Sequence, residues 1–184
     1  MTLFDMFLLG VGEAMDASAV SMAKGTTTKR PMLRHYMSVG LWFGGFQASM
    51  TLFGYFVGSK FAHLVECVDH WISFILLALL GVNMIKEALS KDEERVDRSY
   101  SVRTMLIMAI ATSVDALAVG VSLAFIRVNI WMAALIIGVV TFVLSLAGLK
   151  IGAIFGNRYK STAEIVGGIM LIFIGIRILL SHLL

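Results

Sequence analysis

Asp16-Ala17-Ser18-Ala19-Val20 and Asp115-Ala116-Leu117-Ala118-Val119 are nearly the same word written twice in a chain of 184 residues. Each lies in an apolar run long enough to cross a bilayer, for which about 20 residues suffice. An ionised carboxylate at the centre of such a run costs roughly 2.5 to 3.5 kcal/mol on insertion scales, so a pair of them requires compensation. The simplest compensator is a cation.

The sequence around the two words has a membrane composition. Hydrophobic residues make up 59%, there is one proline, and the mean hydropathy is +0.89, which is more apolar sequence than a soluble domain of this size buries. Six stretches meet the length requirement, at 2 to 23, 36 to 59, 70 to 88, 104 to 126, 130 to 155 and 162 to 183. They predict an all-α integral membrane protein with six transmembrane helices and no separate soluble domain. The first stretch has no Lys or Arg before it and no convincing cleavage site, so it reads as a retained helix. Lone Cys67 excludes an internal disulfide and a multi-cysteine metal site.

The net charge of +3 sits beside the apolar stretches and forms no basic module, which excludes a nucleic-acid partner. Its distribution sets orientation. Lys24, Lys29, Arg30 and Arg34 follow the first stretch, Lys86, Lys91, Arg95, Arg98 and Arg103 flank the connection after the third, and Arg158 and Lys160 follow the fifth; the alternate connections hold Lys60 and Arg127. Positive residues accumulate on the cytoplasmic side, so both termini are predicted outside.

The chain also repeats itself. An offset of 99 residues superposes the two Asp words, and an offset of 94 brings Gly44, Leu52, Gly54 and Gly58 onto Gly138, Leu146, Gly148 and Gly152, and Leu77 and Gly81 onto Leu171 and Gly175. Repeat one therefore runs over about 1–90 and repeat two over about 104–184, joined by a charged cytoplasmic linker at about 91–103. Three spans per repeat is an odd number, so the second repeat is predicted to be inverted, an arrangement common in secondary transporters. Asp16 and Asp115 become symmetry mates near the midplane.

Residues three or four apart share a helix face. Asp16 thus has Gly12, Glu13, Ala19 and Val20 beside it, and Asp115 has Ala111, Thr112, Ala118 and Val119. Small residues at Ala19, Ala23, Ala118 and Ser122 predict close approach of the first and fourth spans. Two adjacent bare carboxylates do not both stay ionised, so the empty site is expected to hold a proton that a divalent metal displaces. No Walker-type loop supplies ATP hydrolysis, which leaves an ion gradient as the drive and proton antiport as its natural form.

Met15-Asp16-Ala17, Ala19-Val20-Ser21, Lys24-Gly25, Phe43-Gly44 with Gln47, the run Ala109-Ile110-Ala111-Thr112-Ser113-Val114-Asp115-Ala116-Leu117-Ala118-Val119-Gly120, and Ala163-Glu164-Ile165-Val166-Gly167-Gly168 together resemble the MntP family of bacterial inner-membrane manganese efflux pumps. The resemblance covers essentially all six spans. It implies export of Mn2+ from the cytoplasm, with the family's intramembrane aspartates at Asp16 and Asp115. Gln47 is a glutamate in some relatives, and Glu13, which stands where an uncharged residue is expected, restores the missing charge from one turn away. Thr51 replaces an expected proline and removes the reason for a kink in the second span.

Gln47, Glu13, Thr112 and Ser113 are accordingly the candidate accessory metal ligands beside Asp16 and Asp115. Carboxylate, amide and hydroxyl oxygens suit hard cations such as Mn2+, Mg2+ and Ca2+, while Met15 and Met22 are read mainly as packing. Glu87 and Glu164 are candidates for a cytoplasmic vestibule, equally readable as ordinary helix-end charges. Lys150 and Arg177 are expected to reach an interface or pair with a carboxylate rather than enter the pathway, and the His63 to His70 cluster reads as a solvated outward loop. No catalytic residues or prosthetic group are expected. Export of another divalent cation or of a small cationic amino acid is the alternative, and an intramembrane aspartyl protease is distant because its companion motifs are missing.

Overall fold

Of the 184 residues, the computed structural model describes 1–28, 31–62, 100–126 and 128–155, with isolated helical positions between 74 and 89 and between 162 and 180. The described residues form five helices and no strand: α1 (Leu3–Thr27), α2 (Leu33–Ala62), α3 (Val102–Ala111), α4 (Val114–Ala124) and α5 (Ile130–Phe155). The third and sixth expected spans beyond those isolated positions, most of the linker, the His63 to His70 cluster, Glu87, Glu164 and Arg177 lie outside the described residues.

Local chemistry sets the helix starts. Thr2 and Asp5 exchange bonds between side chain and backbone at the head of α1, a capping box that satisfies two donors the first turn leaves over. Ser101 accepts from the Thr104 amide at the head of α3. At 25 and 30 residues, α1 and α2 are about 37 and 45 Å long, more than the hydrocarbon thickness of a bilayer. α5 is long and apolar enough to cross a membrane alone, and α3 with α4 qualifies as a second, bent span.

Among the described residues, polar and charged side chains are buried beside apolar ones while large apolar side chains face outward. Glu13, Lys24, Gln47, Asp115 and Thr141 are buried, whereas Leu41, Phe53, Trp131, Leu135 and Val143 are exposed. In water that pattern is unfavourable, because apolar surface stays wet and polar groups lose their solvent. A bilayer reverses the sign for the outer surface, and this is a membrane protein. Lys150 is on the exposed side of α5, away from the buried polar groups. Lys24, counted above with the first connection, proves to be in the last turn of α1 and fully buried, its Nζ 4.5 Å from the centre of the Tyr100 ring.

Two glycine seams set the packing. α1 lies along α5, and α2 lies along both α4 and α5. A methyl added at Gly54 of α2 would sit 2.1 Å from the Leu117 carbonyl oxygen of α4, and one at Gly148 of α5 would sit 2.5 Å from the Ser18 carbonyl oxygen of α1. Helices this close lack room for any side chain at the contact. The close approach expected between the first and fourth spans at Ala19, Ala23, Ala118 and Ser122 is therefore not where the tight backbone contacts form; glycines on α2 and α5 make them instead.

These contacts recur under the two sequence offsets. Gly54 against Leu117 becomes Gly148 against Ser18 when each residue is moved to its counterpart, and Gly58 against Val121 becomes Gly152 against Met22. Gly44 and Gly138, counterparts of each other, face one another across the α2–α5 crossing. The two apolar clusters correspond likewise: Met6, Ala133 and Ile137 in one occupy the roles of Met105, Val39 and Phe43 in the other.

Candidate metal site

The expected fourth span is not continuous. α3 ends at Ala111, α4 begins at Val114, and the two axes meet at 43°. Thr112 and Ser113 have ψ of -5° and 6°, far from the roughly -42° of a regular helix. No proline or glycine causes this. The Thr112 hydroxyl donates to the Met108 carbonyl at 3.0 Å, which also accepts from the Thr112 amide at 2.9 Å, and the Ser113 hydroxyl donates to the Ala109 carbonyl at 2.5 Å while the Ser113 amide turns to the Ile110 carbonyl at 3.1 Å, so at Ser113 a side chain takes the acceptor that the ladder would otherwise use. Their oxygens keep lone pairs but their protons are committed.

Asp115 follows this break, in the first turn of α4, and is buried. Its Oδ1 accepts from the Ala116 amide at 2.8 Å, while Oδ2 has no hydrogen-bond partner among the described residues. Asp16 is half-buried in mid-α1. Glu13, one turn before it, is fully buried and accepts at Oε2 from the Gln47 amide of α2 at 3.2 Å; the same Gln47 nitrogen donates to the Glu13 carbonyl at 3.2 Å. Glu13, Asp16 and Asp115 lie close enough to repel one another electrostatically.

Glu13, Asp16, Gln47 and Asp115 thus belong to one buried polar region shared by α1, α2 and α4, with Thr112 and Ser113 at the helix break beside Asp115. Glu13 Oε1, Gln47 Oε1 and Asp115 Oδ2 are buried acceptors with no donor among the described residues. Buried acceptors of this kind are costly unless something positive arrives. Among the described residues no three His, Cys, Asp or Glu side chains close into a ready-made metal cluster. Met15 packs against the apolar cluster of Met6 and Leu9. Thr51 leaves α2 unbroken, its hydroxyl bonded to the Gln47 carbonyl at 2.8 Å.

Sequence reasoning missed Thr141 and Ser145 of α5. Both are fully buried, and both hydroxyls lack a partner among the described residues. The 94-residue offset that aligned the glycines also carries Gln47 onto Thr141 and Thr51 onto Ser145, which was the signal available.

At the other end of α1, Tyr100 gathers three elements. Its hydroxyl is 2.9 Å from that of Thr28, its ring is 4.6 Å from that of His35, and Lys24 lies over its face.

Comparison with known proteins places these features in a family. Residues 30–179 match the family model described as "Putative manganese efflux pump". Proteins carrying that description with the name MntP are 48% identical in Desulfitobacterium hafniense, over 97% of this chain and 95% of the relative; 48% in Bifidobacterium adolescentis, over 98% and 97%; and 48% in Campylobacter jejuni, over 100% and 98%. No solved structure matches the chain. With identity of this order along nearly its whole length, the chain belongs to the MntP family of manganese efflux pumps.

Proposed function

We propose that this protein is a secondary transporter that exports Mn2+ from the cytoplasm across the bacterial inner membrane, through a mid-membrane site built on Asp16 and Asp115. The observation that carries the reading is the buried pair Glu13 and Asp115 beside the half-buried Asp16, with Glu13 bonded to Gln47 and with acceptor oxygens of Glu13, Gln47 and Asp115 that have no donor among the described residues. Such a region is unfavourable without a cation and becomes favourable with one. Its oxygens suit a hard divalent ion.

The architecture we infer is six spans in two inverted repeats, about 1–90 and about 104–184, around a cytoplasmic linker at about 91–103, with both termini outside. The glycine contacts and apolar clusters that recur under the same two offsets support it, as does the distribution of basic residues. A helix broken next to a buried carboxylate is a device transporters use for ion sites. α1 is continuous at Glu13 and Ala14, the counterparts of Thr112 and Ser113, so the two halves differ at this position. Proton exchange completes the proposal: a metal that binds carboxylates releases whatever protons they hold, which couples Mn2+ outward to H+ inward. Glu87 and Glu164 are assigned to the cytoplasmic entrance.

The test is complementation in cells lacking their own manganese exporter. Wild-type protein is expected to lower cellular manganese and restore growth in excess Mn2+, while Asp16→Asn and Asp115→Asn, at equal membrane abundance, leave both unchanged from the empty vector. Normal clearance by both variants would refute the site.

A further inference from the structure

We infer that Thr141 and Ser145 supply neutral hydroxyl ligands to the transported cation and set its selectivity for Mn2+ over Mg2+; this rests on the carboxylate site proposed above.

Eight Ser and Thr residues are buried among the described residues: Ser18, Ser21, Thr51, Thr112, Ser113, Ser122, Thr141 and Ser145. Six have hydroxyls that donate to a backbone carbonyl: Ser21, Thr51 and Ser122 within their own helix, Thr112 and Ser113 from the break back into α3, and Ser18 to Leu144 of α5. Bonding back to the preceding turn is the default for such residues in apolar helices, because nothing else is available. Thr141 and Ser145 depart from it. Each is fully buried, and each has a hydroxyl with no partner among the described residues.

Their position gives the departure a purpose. Thr141 and Ser145 are four residues apart and share a face of α5, the face that continues through Gly148 and Gly152 against α1. α1 and α5 run alongside in register, with Gly10 against Ile137 and Val140 and Ser18 against Leu144 and Gly148. Thr141 therefore falls at the level between Gly10 and Ser18, the interval that contains Glu13 and Asp16. By the 94-residue offset Thr141 is also the counterpart of Gln47, whose amide engages Glu13. Both halves thus offer a polar side chain at equivalent places.

Hydroxyl oxygens fixed in a buried site replace waters of the ion's hydration shell. Mg2+ gives up water reluctantly and demands near-ideal octahedral geometry. Larger divalent ions with looser demands are penalised less, so neutral protein ligands shift preference away from Mg2+ without adding charge.

The experiment is a titration of purified detergent-solubilised protein with Mn2+, read by the electron paramagnetic resonance signal of the free ion, alone and in competition with Mg2+. Thr141→Val with Ser145→Ala removes both hydroxyls with little change of shape. It is expected to raise the Mn2+ Kd on the order of tenfold and to lower the ratio of Mn2+ to Mg2+ affinity, while Thr141→Ser stays near wild type. Thr51→Val, whose hydroxyl is committed to Gln47, is expected to bind as wild type does. If the double variant is not monodisperse, Thr141→Val and Ser145→Ala are compared singly. Wild-type affinity and selectivity in the hydroxyl variants, alongside lost binding in Asp115→Asn, overturns this inference and leaves the carboxylate site standing. Wild-type binding by Asp115→Asn overturns the carboxylate site itself.

Discussion

Gly54→Ala adds one methyl where the structure leaves no space. Its carbon would lie 2.1 Å from the Leu117 oxygen, and ordinary contact begins at 3.4 Å, so α2 and α4 must separate by about 1.3 Å. Leu117 is two residues beyond Asp115, and the displacement reaches the carboxylate directly. Overpacking of this kind costs about 1–3 kcal/mol, offset by a helix-propensity gain of about 1 kcal/mol for replacing glycine. The net loss of stability is then about 0–2 kcal/mol, small enough for the protein to insert. Gly45→Ala on the same helix meets nothing within 4 Å and is expected to be neutral or more stable by up to about 1 kcal/mol. Transport separates the two more widely than stability does, because a site that must fit an ion loses roughly 10- to 100-fold in rate for a shift of about 1 Å. The assay is Mn2+ efflux normalised to membrane abundance, with thermal unfolding of the purified protein alongside. Gly148→Ala, which places its methyl 2.5 Å from the Ser18 oxygen two residues beyond Asp16, is expected to behave as Gly54→Ala does. Equal efflux by Gly54→Ala and Gly45→Ala would refute the reasoning.

Glu13→Gln keeps the contact with Gln47 in shape but removes a charge from the three carboxylates, so Mn2+ affinity is expected to fall by about tenfold or more in isothermal titration; unchanged affinity would place Glu13 outside the site. Mn2+ binding is expected to weaken as pH falls from 8 to 5.5, a test interval of about 2.5 units, since protons and metal compete for the same carboxylates. His35, in the first turn of α2 ahead of the span, is the residue type that usually titrates there, but partial burial and the neighbouring Arg34 lower its pKa from 6.5. It is therefore neutral over most of the interval, and His35→Gln is expected to leave the pH profile in place; a profile that moves with this variant assigns the effect to His35 instead.

The class of the molecule was legible because its apolar stretches exceed what a soluble core of this size accommodates, and the candidate ligands were legible because carboxylates inside such stretches have few other roles. Glu13 and Gln47 were named from their spacing to Asp16 and from a resemblance, and the structure joins them by a hydrogen bond. The break at Thr112 and Ser113 was not legible: Ala, Thr and Ser are all compatible with a continuous helix, and the break goes with the Ser113 hydroxyl taking the Ala109 carbonyl while the Ser113 amide shifts to Ile110. Helix partners were misjudged because small residues line several faces. Ala19 and Ala118 looked as suitable as Gly54 and Gly148, and the difference of one methyl group decides which backbones touch. Thr141 and Ser145 passed unnoticed because Thr and Ser in an apolar helix ordinarily satisfy themselves, a property of hydroxyl rotation that sequence does not encode.

Mn2+ flux into acidic-lumen proteoliposomes bearing purified protein in its efflux orientation decides whether Asp16 and Asp115 carry proton-coupled manganese export. Metal-dependent uptake is expected that is accelerated by the proton gradient, falls when the gradient is collapsed, and is abolished in Asp16→Asn and Asp115→Asn vesicles of equal protein content. Uptake by either Asn variant at the wild-type rate would contradict it.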